Sequence, residues 1–466
     1  MYRFSLLVFS VIGALAVTGQ AQELAVRQIH ESPHDPALIS PVAHCADCES
    51  RSTIAGYNHG CCCPNCGCQH CGHDDLWTRE HLTNGFWGLQ PSLAEHGVVY
   101  DAQLTQFYQG VANGGRDQTF EYGGKLDQFF IFQGEKLGLW SGFEVIMHAD
   151  TRFGEDVIAE AAPLAPVNNN MLYPSLDNET AITGLQFMQA LNEDWAISFG
   201  RINTLDLIQT ILPQTGRGVD GFMNTSTFLP LTLGVTVPLV FNGAGILKMR
   251  DERIQGGILV LDPRNIPTVS GVDDMFSNGA AVLGLWRIFT DLGGKPGAHL
   301  FAGTWAGGDF TSLDGHNWVV VPGQGIVPGQ QTGSWSLLYV LEQQLWADRC
   351  NEKRSVGLLS EWGYADRETN PYEWICNVSL QANGLIGARE ADSMGISWFY
   401  NGLSSDLKNL LSPPLNVRDL TGVEVYYNAA ITPWFHLTTD LQVVEPAERN
   451  NYDTAFILGL RAKINL

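Results

Sequence analysis

Between Trp87 and the C-terminal Leu466, short runs of alternating apolar and polar residues are separated by glycine, asparagine, aspartate and proline. Alternation with a period of two places apolar side chains on one face of a β-strand and polar side chains on the other. In the terminal run 456–466, one face is entirely apolar, and the other includes Arg461 and Lys463. The pattern predicts an all-β protein whose strands separate two different media.

A soluble β-sandwich also alternates, with its apolar face packed inward, so composition and length have to separate it from a membrane barrel. Charged residues make up only 16% of the chain, aromatic residues reach 10%, and glycine occurs 50 times, which suits a barrel with amphipathic walls. At roughly 23 residues per strand and connection, the chain has room for about 16 strands. A last strand that reaches the C-terminus leaves no free edge in lipid. We therefore predict a transmembrane antiparallel β-barrel over residues 85–466.

The N-terminus has the order of a secretion signal. Arg3 is followed by the apolar run 4–17 and by small residues that place cleavage after Ala21, so residues 1–21 are predicted to be a signal peptide. An anchoring helix, the alternative, needs about 20 apolar residues. A later uncharged segment, Phe228–Leu247, contains two internal prolines and is predicted to be strand and loop. We expect the mature chain in the outer membrane.

Two classes of function are disfavoured by the residues themselves. The formal net charge of -23 argues against binding to nucleic acid, because a phosphate backbone attracts a basic surface. A hydrolase embedded in the barrel needs a serine–histidine pair with an orienting group. The chain has no Gly-x-Ser-x-Gly motif, and the histidines near its C-terminus have no serine partner in register. We expect no enzymatic activity.

Before the barrel, the chain is predicted to contain a disordered lead-in, residues 22–43, and a short cysteine-rich extension, residues 44–75. Eight of the 10 cysteines lie in this extension. Their Cys-x-x-Cys spacings suit zinc, but export to an oxidising compartment favours disulfides, and crosslinks to neighbouring chains are a third alternative. If a metal binds, the candidate ligands are Cys45, Cys48, Cys63, Cys66, Cys68 and Cys71. Whether the isolated Cys350 and Cys376 pair with each other stays open.

Four blocks of sequence carry a resemblance to a known family. They are, in chain order, Trp87–Leu93 with Gly97; Phe199–Ile202 with Leu205 and Asp206; Gly384–Arg389 with Asp392 and Gly395; and Gly422–Tyr427, Ile431–Trp434 and Gly459–Arg461. Together they resemble the carbohydrate-selective porin (OprB) family. The chain departs from the family in ending with Leu466, where members usually have an aromatic residue, and in its cysteine-rich extension.

The resemblance implies a barrel of 18 or 16 strands, of which we expect 16, narrowed by loops that fold inward, with arginines and acidic residues at the constriction. The implied function is passive diffusion of small, monosaccharide-type carbohydrates into the periplasm. Implied partners are outer-membrane lipid, small sugars and the barrel-assembly machinery, without nucleic acid or a required cofactor. A homotrimer and a monomer both stay open, because related porins differ.

Three arginines are candidates for the solute path. Arg201, Arg389 and Arg461 are predicted to face the lumen, because an arginine toward lipid costs about 2–4 kcal/mol at mid-depth. The family motifs add Asp206 and Asp392 as acidic candidates. The alternative is that each arginine pairs with a neighbouring carboxylate and stiffens the wall.

Other residues and functions remain as alternatives. Trp305, Trp318 and Trp335 lie in glycine-rich stretches predicted as loops, where they either stack on a sugar or belong to the aromatic girdle of the barrel. His436 and Asp440 are predicted to be ordinary wetted residues of the lumen. The alternative function is that of a structural or adhesive envelope protein, in which the barrel is an anchor and the cysteine-rich extension crosslinks or binds metal.

Overall fold

Sixteen strands close into a single antiparallel β-barrel, which confirms the predicted fold class and strand number. The computed structural model describes residues 75–161, 164–173, 179–212, 219–251, 253–323, 325–351, 353–412, 415–448 and 451–466. The signal peptide, the disordered lead-in and the six candidate cysteine ligands, all of them predictions from sequence, lie outside these residues. Cys376 is a buried free thiol, so it does not pair with Cys350.

Each strand follows its predecessor along the chain and pairs with it, apart from a small hairpin, β10–β11, which lies outside the barrel wall. The strands are β1 Val98–Gly115, β2 Phe120–Gln133, β3 Phe143–Gly154, β4 Thr180–Asn192, β5 Trp195–Asn203, β6 Val240–Arg250, β7 Arg253–Leu261, β8 Ala281–Asp291, β9 Pro296–Thr311, β10 Val319–Val321, β11 Gly325–Val327, β12 Gln330–Ala347, β13 Ser355–Ala365, β14 Tyr372–Asn383, β15 Ser393–Leu403, β16 Leu420–Thr432, β17 Phe435–Glu445 and β18 Asp453–Asn465. The α-helices are α1 Asn84–Glu95, α2 Ile158–Ala161, α3 Thr204–Ile211, α4 Thr225–Phe228 and α5 Ser405–Leu411.

The barrel is closed by the pairing of β1 with β18, in which Phe107 lies opposite Arg461. The amide of Leu466 donates to the carbonyl of Ala102 at 2.9 Å, so the last residue is part of the seam. The amide of Leu82 donates to the carbonyl of Asn465 at 2.8 Å, which ties the segment before α1 to the same end of the barrel. No backbone edge is therefore left at the seam.

The connections differ systematically between the two ends of the barrel. One end has the short turns 193–194, 251–252 and 433–434, and the other has the long loops 155–179, 204–239, 262–280, 312–329 and 404–419. In outer-membrane barrels short turns face the periplasm and long loops face the outside. This rule assigns both the start of β1 and the C-terminus to the periplasmic end.

The outer wall is apolar, and alternation along the strands confirms the predicted faces. In β18, Phe456, Leu458 and Leu460 are exposed on the outer surface, while Arg461 and Lys463 are buried inside. Exposed aromatic side chains on the outer surface form two belts, as expected for a barrel that crosses two interfaces. Those near the short turns include Trp195 and Trp346, and those near the long loops include Trp305, Trp335, Tyr364 and Trp374.

Trp305 and Trp335 correct the sequence prediction of loops at these positions. They are cross-strand partners in β9 and β12 and face outward, because glycine-rich strands are permitted where an aromatic neighbour covers them. Gly307, for example, lies against the Trp305 ring. Trp318 does lie in a loop, where its Nε1 donates to the carbonyl of Ser312 at 2.7 Å.

The uncharged segment Phe228–Leu247 consists of loop and the first residues of β6, as its prolines predicted. Within the part of the chain that the structure describes, no helix has both the length and the apolar character needed to cross a membrane.

The interior is not uniformly polar. Strands β5–β9 and β12, here called the apolar arc, turn leucine, isoleucine, alanine and methionine side chains inward, where they pack against Leu207, Ile211, Leu233 and Val237 of loop 204–239. Strands β1–β4 and β14–β18, the polar arc, turn mostly polar side chains inward. Along the apolar arc the second medium is therefore the apolar side of a loop, because residues of loop 204–239 pack against those inward side chains.

Candidate functional site

Loop 204–239 runs inside the barrel, and its first helix fixes its direction. The side chain of Asn203 caps α3 by accepting from the amides of Leu205 and Asp206. At the other end of α3, Arg287 of β8 donates to the carbonyl of Ile211 and to Glu342 of β12, the latter at 2.9 Å. Capping at one end and a buried ion pair at the other hold the helix against the apolar arc.

Beyond α3, polar side chains of the barrel bind backbone and side-chain groups of the loop. Asn370 donates to the carbonyl of Thr232 at 2.6 Å, and the Thr236 hydroxyl lies 2.6 Å from that of Thr304. Asn401 donates to the hydroxyl of Ser226 at 2.8 Å. A loop with this many specific contacts has one preferred position across the lumen.

The loop then meets the last three strands at a group of charged residues, here called the C-terminal cluster: Asp220, Glu424, His436, Asp440, Arg461 and Lys463. Glu424 accepts from the amides of Met223 and Asn224, and Arg461 donates to the carbonyl of Gly221 at 2.8 Å. Asp220 binds Lys463 and lies 3.2 Å from His436. All six side chains are buried. Charges buried in this way are tolerated when they are paired, so the cluster serves to hold the loop.

A second loop, 155–179, also folds inward and touches the first. The amide of Asn169 donates to the carbonyl of Met223 at 2.7 Å, and the amide of Thr225 donates to the carbonyl of Pro166 at 3.0 Å. Gln442 of β17 donates to the carbonyl of Val167 at 3.0 Å. The two loops together narrow the lumen from its outer side.

A second charged group lies in the same polar arc, separated from the C-terminal cluster by strand β1. This N-terminal cluster consists of Lys125 and Asp127 on β2, His148 and Asp150 on β3, and Asp206 on α3. Lys125 Nζ lies 2.8 Å from Asp127, and His148 Nδ1 lies 2.8 Å from Asp206. The cluster connects the start of loop 204–239 to the wall.

The predicted site residues divide between these clusters and the barrel ends. Arg461 faces inward as predicted, and Asp206 belongs to the N-terminal cluster. Arg201 lies at the outer end of β5, on the same face of that strand as the side chains that point outward. It donates to the carbonyls of Ile266 and Val269 in loop 262–280. Both arginines bind backbone carbonyls of a loop, whereas the alternative stated above was a pair with a neighbouring carboxylate. The prediction that Arg201 faces the lumen is not met, because its strand phase points outward and its guanidinium reaches a loop at the rim.

Arg389 and Asp392 lie together in the periplasmic turn 384–392, outside the strands. Arg389 donates to Asp392 at 2.5 Å, and Asp392 also accepts from the Tyr427 hydroxyl and from the amide of Ala430. Burial favours a higher pKa for the Asp392 carboxyl, but these three donors hold its pKa below the ordinary value. The pair fastens a turn to the neighbouring strand.

Several site residues were missed from sequence: Lys125, Asp127, His148, Asp150, Asp220, Glu424 and Lys463. A signal existed in the spacing of Lys125 with Asp127 and of His148 with Asp150, because residues two apart on a strand share a face. Asp220 had no such signal, since its position depends on a loop.

The prediction that His436 and Asp440 are wetted residues is wrong for this structure. Both side chains are buried, His436 against Asp220 and Asp440 against Gln442, because loop 204–239 covers them.

The deciding observation is that a family model matches most of the chain. The model of the carbohydrate-selective porin, OprB family, matches residues 117–466. The chain belongs to this family. The resemblance to this family is thereby confirmed, and three of the four sequence blocks lie within the matched residues.

Solved structures agree on the fold of the porin. The high-pH structure of Pseudomonas putida OprB aligns with a TM-score of 0.71 at 16% identity, covering 84% of this chain and 100% of that chain. The low-pH structure of the same protein aligns with a TM-score of 0.51 at 12% identity, covering 84% and 99%. No curated protein sequence matches the chain.

Proposed function

We propose that this porin is a passive channel through which small carbohydrates cross the outer membrane into the periplasm. The observation that carries the proposal is a closed barrel of the OprB family with loop 204–239 folded across its lumen. A barrel wall supplies the aqueous route, and an inward loop reduces it to the size of a small solute. No chemical step is needed for this function, and we propose none.

The solute path follows the part of the polar arc that loop 204–239 leaves uncovered. Hydroxyl, amide and carboxylate groups on those strands can replace part of the hydration of a sugar, whereas the apolar arc is occupied by the loop. Arg461 supports the path by holding Gly221 of the loop, and Asp206 does so through His148. Arg201 holds loop 262–280 at the outer rim, and Arg389 with Asp392 holds the turn 384–392 at the periplasmic rim.

Export and membrane insertion complete the proposal. The signal peptide is removed after Ala21, the barrel-assembly machinery inserts the mature chain, and outer-membrane lipid surrounds the apolar outer wall. Mass spectrometry of the protein from outer membranes should find an N-terminus at Gln22. A mature chain that retains residues 1–21 would contradict this part of the proposal.

The decisive test is liposome swelling with sugars of graded size, with protein-free liposomes as the control. We expect monosaccharides to enter rapidly and larger oligosaccharides to enter progressively more slowly. Bilayer recordings should show the corresponding open-channel current and its partial block by a permeant sugar. Liposomes that stay sealed to monosaccharides, with the folded barrel inserted, would overturn the channel and favour the anchoring function.

A further inference from the structure

The N-terminal cluster brings two carboxylates face to face inside the barrel. Asp127 of β2 and Asp150 of β3 are direct cross-strand partners, and both side chains are buried. Like charges directly opposite each other destabilise a pair of strands unless a cation lies between them. His148, on the same inward row as Asp150, completes a set of three side chains whose ligand atoms all lie within 4.8 Å of one another.

A residue other than these three side chains, Asp206, orients the imidazole of His148. Its Nδ1 lies 2.8 Å from Oδ2 of Asp206, at the start of α3. Its Nε2 is directed at the two carboxylates, 3.1 Å from Asp127 Oδ1 and 3.5 Å from Asp150 Oδ1. A histidine that binds a metal typically has one ring nitrogen held by a carboxylate while the other points at the metal.

Within the part of the chain that the structure describes, two buried carboxylate oxygens in the cluster accept no hydrogen bond, and Asp150 Oδ1 has only the longer ion-pair contacts to His148 and Lys125. Oδ2 of Asp127 and Oδ1 of Asp150 make no hydrogen bond to the described residues, although only 2% and 4% of these two residues is exposed. Leaving such an acceptor unsatisfied inside a protein costs roughly 1–3 kcal/mol, and more for a charged group. The two oxygens therefore indicate that a cation belongs between the carboxylates.

Lys125 carries the permanent positive charge of the cluster, and it lies closer to one carboxylate than to the other. Its Nζ lies 2.8 Å from Asp127 Oδ1 but 3.8 Å from Asp150 Oδ1. The carboxylates of Asp127, Asp150 and Asp206 therefore have one lysine among them, and His148 is the other basic residue of the cluster.

We propose that the N-terminal cluster binds one divalent transition-metal ion, with Asp127, Asp150 and His148 Nε2 as ligands. Asp206 acts as a positioning residue by orienting the imidazole. Two carboxylates with one imidazole suit Mn²⁺ or Zn²⁺ better than a soft ion such as Cu⁺. The bound ion would fasten α3, and with it loop 204–239, to strands β2 and β3. The proposal holds whichever solute passes, so it stands apart from the channel function.

The site is tested with Mn²⁺, because manganese prefers oxygen and nitrogen ligands and so avoids the cysteine-rich extension. The full mature chain in detergent is stripped with a chelator, dialysed and titrated while electron paramagnetic resonance measures free Mn²⁺. We expect one saturable site per chain. Asp150→Asn and His148→Gln should each weaken binding at least tenfold, and Asp206→Asn about 10–100-fold. His436→Gln, which changes the other buried histidine beside a carboxylate, should bind like the unchanged chain.

Lys125→Met separates metal binding from a structural role of the cluster. Because Lys125 Nζ lies 2.8 Å from Asp127 Oδ1 and so competes with the ion for this ligand, its removal should tighten Mn²⁺ binding at least tenfold. Heat-modifiable migration in gels checks that each variant has folded. The proposal is overturned if the unchanged chain has no saturable Mn²⁺ site, if Asp150→Asn binds as tightly as the unchanged chain, or if Lys125→Met binds no more tightly. Should Asp150→Asn fail to fold, the result for Lys125→Met decides.

Discussion

At the scale of single residues, the charged side chains inside this porin hold loops and turns as much as they line a path. Arg461 is fully buried and contacts both the carbonyl of Gly221 and the hydroxyl of Thr438. Arg389 is bound to Asp392 at the periplasmic end. The inward phase of Arg461 was predictable from the strand, but the group that it contacts was not.

Arg461→Ala should change the current through single channels. The substitution removes the donor to Gly221 and one of the cations beside Asp220, Asp440 and Glu424, so loop 204–239 loses one fixed point. We expect a broader distribution of conductance levels and a weaker block by sugars in bilayer recordings. Arg116→Ala, in the exposed connection between β1 and β2, is the matched control and should leave both unchanged. Unaltered conductance and sugar block in Arg461→Ala would remove this residue from the proposed path.

Asp392→Asn should destabilise the barrel in a manner that depends on pH. Hydrogen bonds to a charged group contribute roughly 1.5–3 kcal/mol each, and the donors around Asp392 hold its pKa below the ordinary value. A carboxyl with a lowered folded-state pKa stabilises the fold above its unfolded pKa, and that contribution disappears as the pH falls through the folded pKa. The difference in denaturant midpoint between the unchanged chain and Asp392→Asn should therefore shrink on acidification. A difference in midpoint that stays constant from neutral to strongly acidic pH would contradict this prediction.

At the scale of elements, loop 204–239 determines how much of the lumen is open. Its α3 helix and its segment 231–237 pack on the apolar arc, and its segment 220–224 binds the C-terminal cluster. The loop approaches the barrel wall closely at Gly363 of β13. A Cβ at this position would lie 2.1 Å from the Thr232 hydroxyl of the loop.

Gly363→Ala should therefore displace the loop near Thr232. Overpacking of this kind typically costs 1–3 kcal/mol, so we expect a lower unfolding midpoint together with altered conductance. Gly357→Ala is a matched control on the same strand and face, where a new Cβ meets only the Gln343 carbonyl oxygen at 4.0 Å. Equal conductance and stability for the two variants would show that the loop does not press on β13.

At the scale of the whole molecule, the barrel is stable because its outer surface is apolar and its hydrogen-bonding edges are closed. Leu458 faces lipid near the middle of β18, opposite Gly110 in the seam. The match to the family model and the alignment with Pseudomonas putida OprB describe the barrel as a whole, and neither identifies particular functional residues.

Leu458→Arg should destabilise the inserted barrel by about 2–4 kcal/mol, the cost of an arginine facing lipid at mid-depth. Reversible urea unfolding from lipid bilayers measures this difference. Val320→Arg, in the exposed β10–β11 hairpin, is the control and should change the free energy of unfolding by less than about 0.5 kcal/mol. A Leu458→Arg barrel as stable as the control would place this face of β18 away from lipid.

The sequence by itself determined most of the strands and the family, because alternation with a period of two is a local property that a strand carries in its own residues. It failed where glycine interrupts the pattern, at the strands of Trp305 and Trp335. The 16-stranded count followed from length, and the blocks from Trp87 to Leu466 indicated the family. The tertiary structure decided what lies inside. Loop 204–239 brings Asp220 to Lys463, and strand register brings Asp127 to Asp150. The first contact joins residues far apart along the chain and requires the loop to fold back into the barrel, and the second requires the exact register of two neighbouring strands. The alternation within one strand encodes neither of them.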